Sequence, residues 1–185
     1  MSLVELIARA DERGLAASGL ACLDRCVPLL GGDDEVLRPL WASLAEGAAA
    51  GDWAERLEQT RGKLGAVAGG ADEAVGLAHG MLAAAPGEWS AAALRGWADD
   101  CSVAALRVHR LLDGGGDDSG LGDARGGVDT DGLSPLLAAE LRRQVAVLEL
   151  LVAHGAGGLR GALEVSTEGR RVLRAAVSRR SRRDG

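Results

Sequence analysis

An all-α fold is what this sequence predicts, and two observations carry it. Apolar residues recur at spacings of three and four along the chain and hardly ever alternate as a half-buried strand would require. Glycine, proline and acidic clusters punctuate the pattern where helices start and stop. The spacing predicts eight helices, near 2–12, 15–30, 34–46, 52–65, 71–84, 88–112, 134–154 and 159–180. At 185 residues they suit one core, as a single helical bundle or a short helical-hairpin array.

The first two elements rest on apolar periodicity alone. For the third, Gly31 and Gly32 close the preceding helix, and Asp33, Asp34 and Glu35 stand where the positive end of the next helix dipole favours acids. Its apolar stripe is Val36, Leu37, Leu40, Trp41 and Leu44. The sixth element places Leu94, Trp97, Cys101, Ala104, Val108 and Leu111 on one face, with Val103 and Leu106 on a second. The seventh has Ser134 as N-cap and Pro135 in the first turn, where a missing N–H costs nothing. Its "VAVLELLVA" half is apolar on nearly every side and is expected to be a buried central helix.

Residues 114–132 are rich in glycine and aspartate, which raises the entropy cost of ordering and adds like-charge repulsion. A disordered acidic loop is expected there. It separates a helical core, 1–113, from a C-terminal helical pair, 133–185, that packs on the same core and ends in a basic tail.

Composition excludes a disordered chain, because 47% of residues are apolar and 26% charged. Phe, Tyr and Asn are absent, Ile7 is the only isoleucine and Lys63 the only lysine. The missing residues are those of AT-rich codons, which points to a GC-rich bacterial genome of actinobacterial type and makes arginine the default cation. The four tryptophans, Trp41, Trp53, Trp89 and Trp97, become the only aromatic anchors, and a core of Leu, Ala and Val then demands close helix packing. No apolar run approaches the ~18–20 residues of a membrane span, and Met1 to Ala10 lacks the pattern of a signal peptide. A cytoplasmic protein is expected.

Gly14, Gly51 and Gly87 each precede a helix at nearly constant spacing, and "GDWAERL" and "GEWSAAAL" are locally alike. Over residues 1–112 this resembles the helical hairpins of tetratricopeptide repeats, in which a Gly-Asp-aromatic turn joins two antiparallel helices. The pattern departs from the family at Arg56, where a small residue is usual after the aromatic Trp53.

Candidate chemistry is fragmentary. Cys22, Cys26, Cys101, His79, His109 and His154 include zinc-ligand types, but no second pair has ligand spacing. Cys22 and Cys26 are one helical turn apart, about 5–6 Å between Cβ atoms, too far for a disulfide at about 3.5–4.5 Å; free core thiols are expected. Asp129, Asp131 and Glu140 echo the ends of a calcium loop, yet the residues between them supply too few oxygens. Asp99 and Asp100, or Cys101 or Ser102 with His109, are the only hints of catalysis, and adjacent helix residues do not share a face. No catalytic residue, metal site or cofactor is assigned.

The tail "RRVLRAAVSRRSRRDG" carries +6 of a chain whose net charge is −6, leaving −12 for residues 1–169. As a helix it sets Arg170, Arg171, Arg174 and Ser178 opposite Val172, Leu173, Ala176 and Val177. The apolar face is expected to dock on the bundle while arginines pair with the acidic body. The seven arginines, Arg170, Arg171, Arg174, Arg179, Arg180, Arg182 and Arg183, are also the candidate partner-binding residues. The expected function is a non-enzymatic protein acting through a protein partner, as adaptor or regulatory module, with a homo-oligomer as one form. The alternatives are a nucleic-acid-associated regulator that uses the tail, which the acidic body disfavours, and a helical-bundle enzyme with an unrecognised site.

Overall fold

The computed structural model describes residues 1–47, 50–65, 72–115, 117–127 and 130–185. Among them are nine α-helices and no strand: α1 (Leu3–Arg9), α2 (Glu12–Arg25), α3 (Arg38–Ala45), α4 (Ala50–Leu64), α5 (Glu73–Ala84), α6 (Ala91–Leu112), α7 (Leu121–Arg125), α8 (Pro135–His154) and α9 (Leu159–Asp184). The all-α expectation holds, and its eight elements correspond to all of these except α7.

Prolines explain the two largest boundary differences. The second element ends at Arg25, because Pro28 lacks the N–H that would bond the carbonyl of Asp24; a short 3-10 turn, Val27–Leu29, follows. The third begins only at Arg38, with Pro39 in its first turn, so Asp33, Asp34 and Glu35 lie in turns before the helix rather than at its start. Ser134 caps α8 as expected, accepting from the Leu137 amide at 3.2 Å.

The central helix is α2, not α8. Every residue from Gly14 to Arg25 is buried, whereas the late part of α8 reaches solvent and Val152 is 62% exposed. Two glycines let neighbours approach closely. A Cβ on Gly19 would come within 2.6 Å of the Trp97 ring on α6, and one on Gly169 of α9 would overlap the Arg25 side chain. Small residues here set interhelical distance.

Around α2 the helices arrive in antiparallel pairs. Trp97 Nε1 donates to the Met81 carbonyl at 2.9 Å while Arg107 meets Glu73 at 2.9 Å, which fixes α5 against α6. Likewise Gly161 abuts Leu150 and Arg143 approaches Glu168 at 3.9 Å, fixing α9 back along α8. The tryptophans act as anchors: Trp53 makes edge-to-face contacts with Trp89 and Trp97, with centroids 5.7 and 6.1 Å apart. Trp41 and Trp53 each satisfy the indole N–H, on Asp24 at 2.9 Å and on the Pro86 carbonyl at 2.8 Å.

Within the segment expected as a disordered loop, Leu121–Arg125 forms α7, which buries Leu121, Ala124 and Arg125. The glycine- and aspartate-rich sequence predicts no helix there. Gly14 lies in the first turn of α2, Gly51 inside α4 and Gly87 between α5 and α6, so the three glycines occupy different settings.

Gly19→Ala overfills the α2–α6 contact and is expected to destabilise the fold by about 1–3 kcal/mol. A urea titration followed by helical circular dichroism measures it, and an unchanged midpoint would contradict the packing described.

Candidate functional site

Two features stand out from the core: a buried polar cluster and an open groove. The cluster is centred on Arg25, the last residue of α2, and Glu140 on α8, both fully buried. Arg25 donates to both carboxylate oxygens, at 2.8 and 2.7 Å, a fork geometry that only a guanidinium supplies. Gln144, one turn along α8, donates to Glu140 at 2.9 Å and accepts from the Ser102 hydroxyl at 2.6 Å. Arg125 of α7 donates to that same hydroxyl at 3.0 Å and reaches Asp99 at the surface. Arg125 thus links the Gly/Asp-rich segment to the buried polar cluster.

His109 closes the cluster. Its Nδ1 lies 2.6 Å from the Ala105 carbonyl, which can only accept, so Nδ1 carries the proton. Nε2 then faces Glu140 at 3.4 Å without a hydrogen bond. Burial lowers the His109 pKa against the pull of Glu140, so the ring is kept neutral. Burial alone would raise the Glu140 carboxyl, but the charge and hydrogen bonds of Arg25, with the Gln144 hydrogen bond, outweigh it and hold the group at about 2.

These contacts assign Ser102, Asp99, His109 and Glu140 to structure. Ser102 spends its proton on Gln144, and Glu140 is held by Arg25 rather than by a cation loop; Asp129 lies outside the described residues. Cys22, Cys26 and Cys101 are buried free thiols, with Cys22 pushed up to about 12 by burial, so none is a ready nucleophile. Among the described residues no three His, Cys, Asp or Glu side chains converge as a metal group.

The basic tail lies along the body as the final part of α9, with Leu173 and Ala176 buried. Arg170 pairs with Asp24, where burial raises the carboxyl against the pull of Arg170 and the Trp41 hydrogen bond. Arg174 grips Asp34, lowering that carboxyl through its hydrogen bonds. Arg180 meets Asp72 at 3.5 Å, and Arg183 donates to the Leu112 carbonyl at 3.2 Å, capping α6. Arg171, Arg179 and Arg182 are exposed and make no ion pair or hydrogen bond among the described residues. Four of the seven arginines are therefore engaged within the chain.

The groove runs between α5 and α6 and encloses about 430 Å³. Leu77, Met81, Trp97 and Ala104 give it an apolar floor, and Asp72, Glu73 and Asp100 stand at its edges. Along the α5 wall, Gly76 and Gly80 leave the backbone bare, since a Cβ at either would meet nothing within 4 Å. Trp97 and Cys101 lie on the core face expected for this helix and are buried; the bare glycines of α5 that leave a furrow beside that face are not legible in the α6 segment itself.

No family model matches the chain, and neither a curated protein nor a solved structure is similar to it. No helix among the described residues is long and apolar enough to cross a membrane.

Two measurements test the polar cluster. Arg25→Met or Glu140→Leu alone strands a buried charge and is expected to cost about 3–5 kcal/mol, while the double variant recovers much of that loss; losses that simply add in the double variant, measured by urea titration, would refute the pairing. The pH dependence has a definite sign. Below about pH 6.5 the unfolded chain takes up a proton that folded His109 resists, so stability falls on acidification. Glu140, still ionised in the fold down to about 2, adds a second fall beginning near its unfolded value of about 4.3. The urea midpoint is expected to drop between pH 7 and 5, and to drop less in His109→Gln; identical slopes would count against a buried neutral ring.

Proposed function

We propose that the protein is a non-enzymatic interaction module, an adaptor or regulatory subunit of the cytoplasm, and that its partner-docking surface is the α5–α6 groove. One observation carries this reading: an apolar furrow of about 430 Å³, floored by Leu77, Met81 and Trp97, lies open between α5 and α6. Apolar surface left concave and bounded by charges is the usual form of a binding site. The groups that would suggest catalysis support the same reading by their engagement elsewhere, since Ser102 is spent on Gln144, His109 Nδ1 on the Ala105 carbonyl and Glu140 on Arg25. The resemblance of residues 1–112 to tetratricopeptide hairpins fits this class of function, because stacked hairpins present binding surfaces.

Gly80→Trp tests it. Residue 80 is exposed within a helix and has open space above it, so the indole fills the groove without disturbing the core, and leaving glycine favours the helix. Partners recovered from cell extract by the wild-type chain are expected to be lost with Gly80→Trp, at an unlowered melting temperature, and kept when residues 179–185 are deleted. Recovery that survives Gly80→Trp but not the deletion would move the docking surface to the tail.

A further inference from the structure

Every charged side chain lining the α5–α6 groove is an acid: Asp72, Glu73 and Asp100. Two of these already hold arginines of this chain, Asp72 with Arg180 at 3.5 Å and Glu73 with Arg107 at 2.9 Å. Asp100 makes no hydrogen bond or ion pair among the described residues and is exposed beside Trp97 and Cys101, midway along the groove. An occupant that covered it with apolar or acidic surface would strip its hydration without replacement, which is costly for a carboxylate. A guanidinium or ammonium placed there would satisfy it.

The walls add shape to this charge. They are antiparallel helices, and on α5 the residues Gly76, Gly80 and Ala84 follow one another at one-turn intervals, a strip spanning about 12 Å at 1.5 Å per residue. Two bare turns of this kind admit the ridge of a third helix at close range. We infer that the groove takes an amphipathic helix of a partner protein, apolar along the face that enters and bearing an arginine or lysine at the flank that meets Asp100. This rests on the docking role proposed above and names the chemistry of its occupant.

The test is a displayed library of helical peptides with a fixed Leu/Ala stripe and randomised flanks, selected on the full-length protein and counter-selected on Gly80→Trp. Groove-dependent binders are expected to enrich arginine or lysine on one flank and to weaken about tenfold or more on Asp100→Arg. Acid-flanked peptides are expected to emerge when Asp100→Arg is itself the target. Asp100 is exposed, so a thermal melt of that variant confirms that the fold is unchanged. Groove-dependent binders with neutral or acidic flanks, or basic binders indifferent to Asp100→Arg, would overturn the basic-helix inference while leaving the groove a docking site. A library that yields no peptide sensitive to Gly80→Trp would overturn both.

Discussion

The Arg25–Glu140 pair constrains everything packed around it. Two opposite charges with no exposed surface are tolerable only where the fork geometry is met, as it is here through Arg25 Nε and Nη2, with Nη1 left without a hydrogen bond among the described residues. That demand fixes the C-terminal end of α2 against α8 and draws Gln144, Ser102 and His109 into the same cluster. Gly169 shows the cost in shape: α9 crosses directly over the Arg25 side chain, where any larger residue would collide. The ion pair and the small-residue packing are one solution, since exclusion of water from the charges needs helices this close.

Arginine serves here as mortar. Arg61 of α4 reaches the carbonyls of Leu82, Ala83 and Ala85 and closes the end of α5, much as Arg183 does for α6. Arg13 donates to the Leu44 carbonyl at the end of α3, and Arg56 to that of Pro39 at its start. The guanidinium groups of Arg13, Arg61 and Arg183 thus satisfy carbonyls that the C-terminal ends of helices leave without intrahelical partners, while Arg56 braces α3 at its start. The polarised charge of the sequence is largely resolved by the same means, because α9 lays its arginines on Asp24, Asp34 and Asp72 of the acidic body.

Helices were legible because their apolar spacing is a local property; what they bury polar groups against was not. The Leu94–Trp97–Cys101–Val108 face could be drawn from one segment, yet Ser102 and His109 of that helix also face inward, because Gln144 and Glu140 wait 42 and fewer residues further along the chain. Likewise α2 reads as a mixture of small, charged and apolar residues, and only the partners of Asp24 and Arg25 make full burial possible. Leu121 and Ala124 were masked by the glycines and aspartates around them, and Arg125 by the lack of any local sign that it had a buried hydroxyl to bond. The tail was read correctly as amphipathic, since Leu173 and Ala176 dock, but which arginines stay free depends on acids more than a hundred residues away.

With neither tyrosine nor phenylalanine in the chain, all near-ultraviolet absorption from aromatic side chains belongs to four indoles. Three of them touch in sequence, Trp89 to Trp53 to Trp97, and the last of these forms part of the groove floor. An occupant of the proposed docking groove would lie over the small exposed edges of Met81 and Trp97, at one end of a coupled chromophore. Docking of the kind proposed would therefore be readable, without any added label, as a change in indole emission or in ring-coupling dichroism.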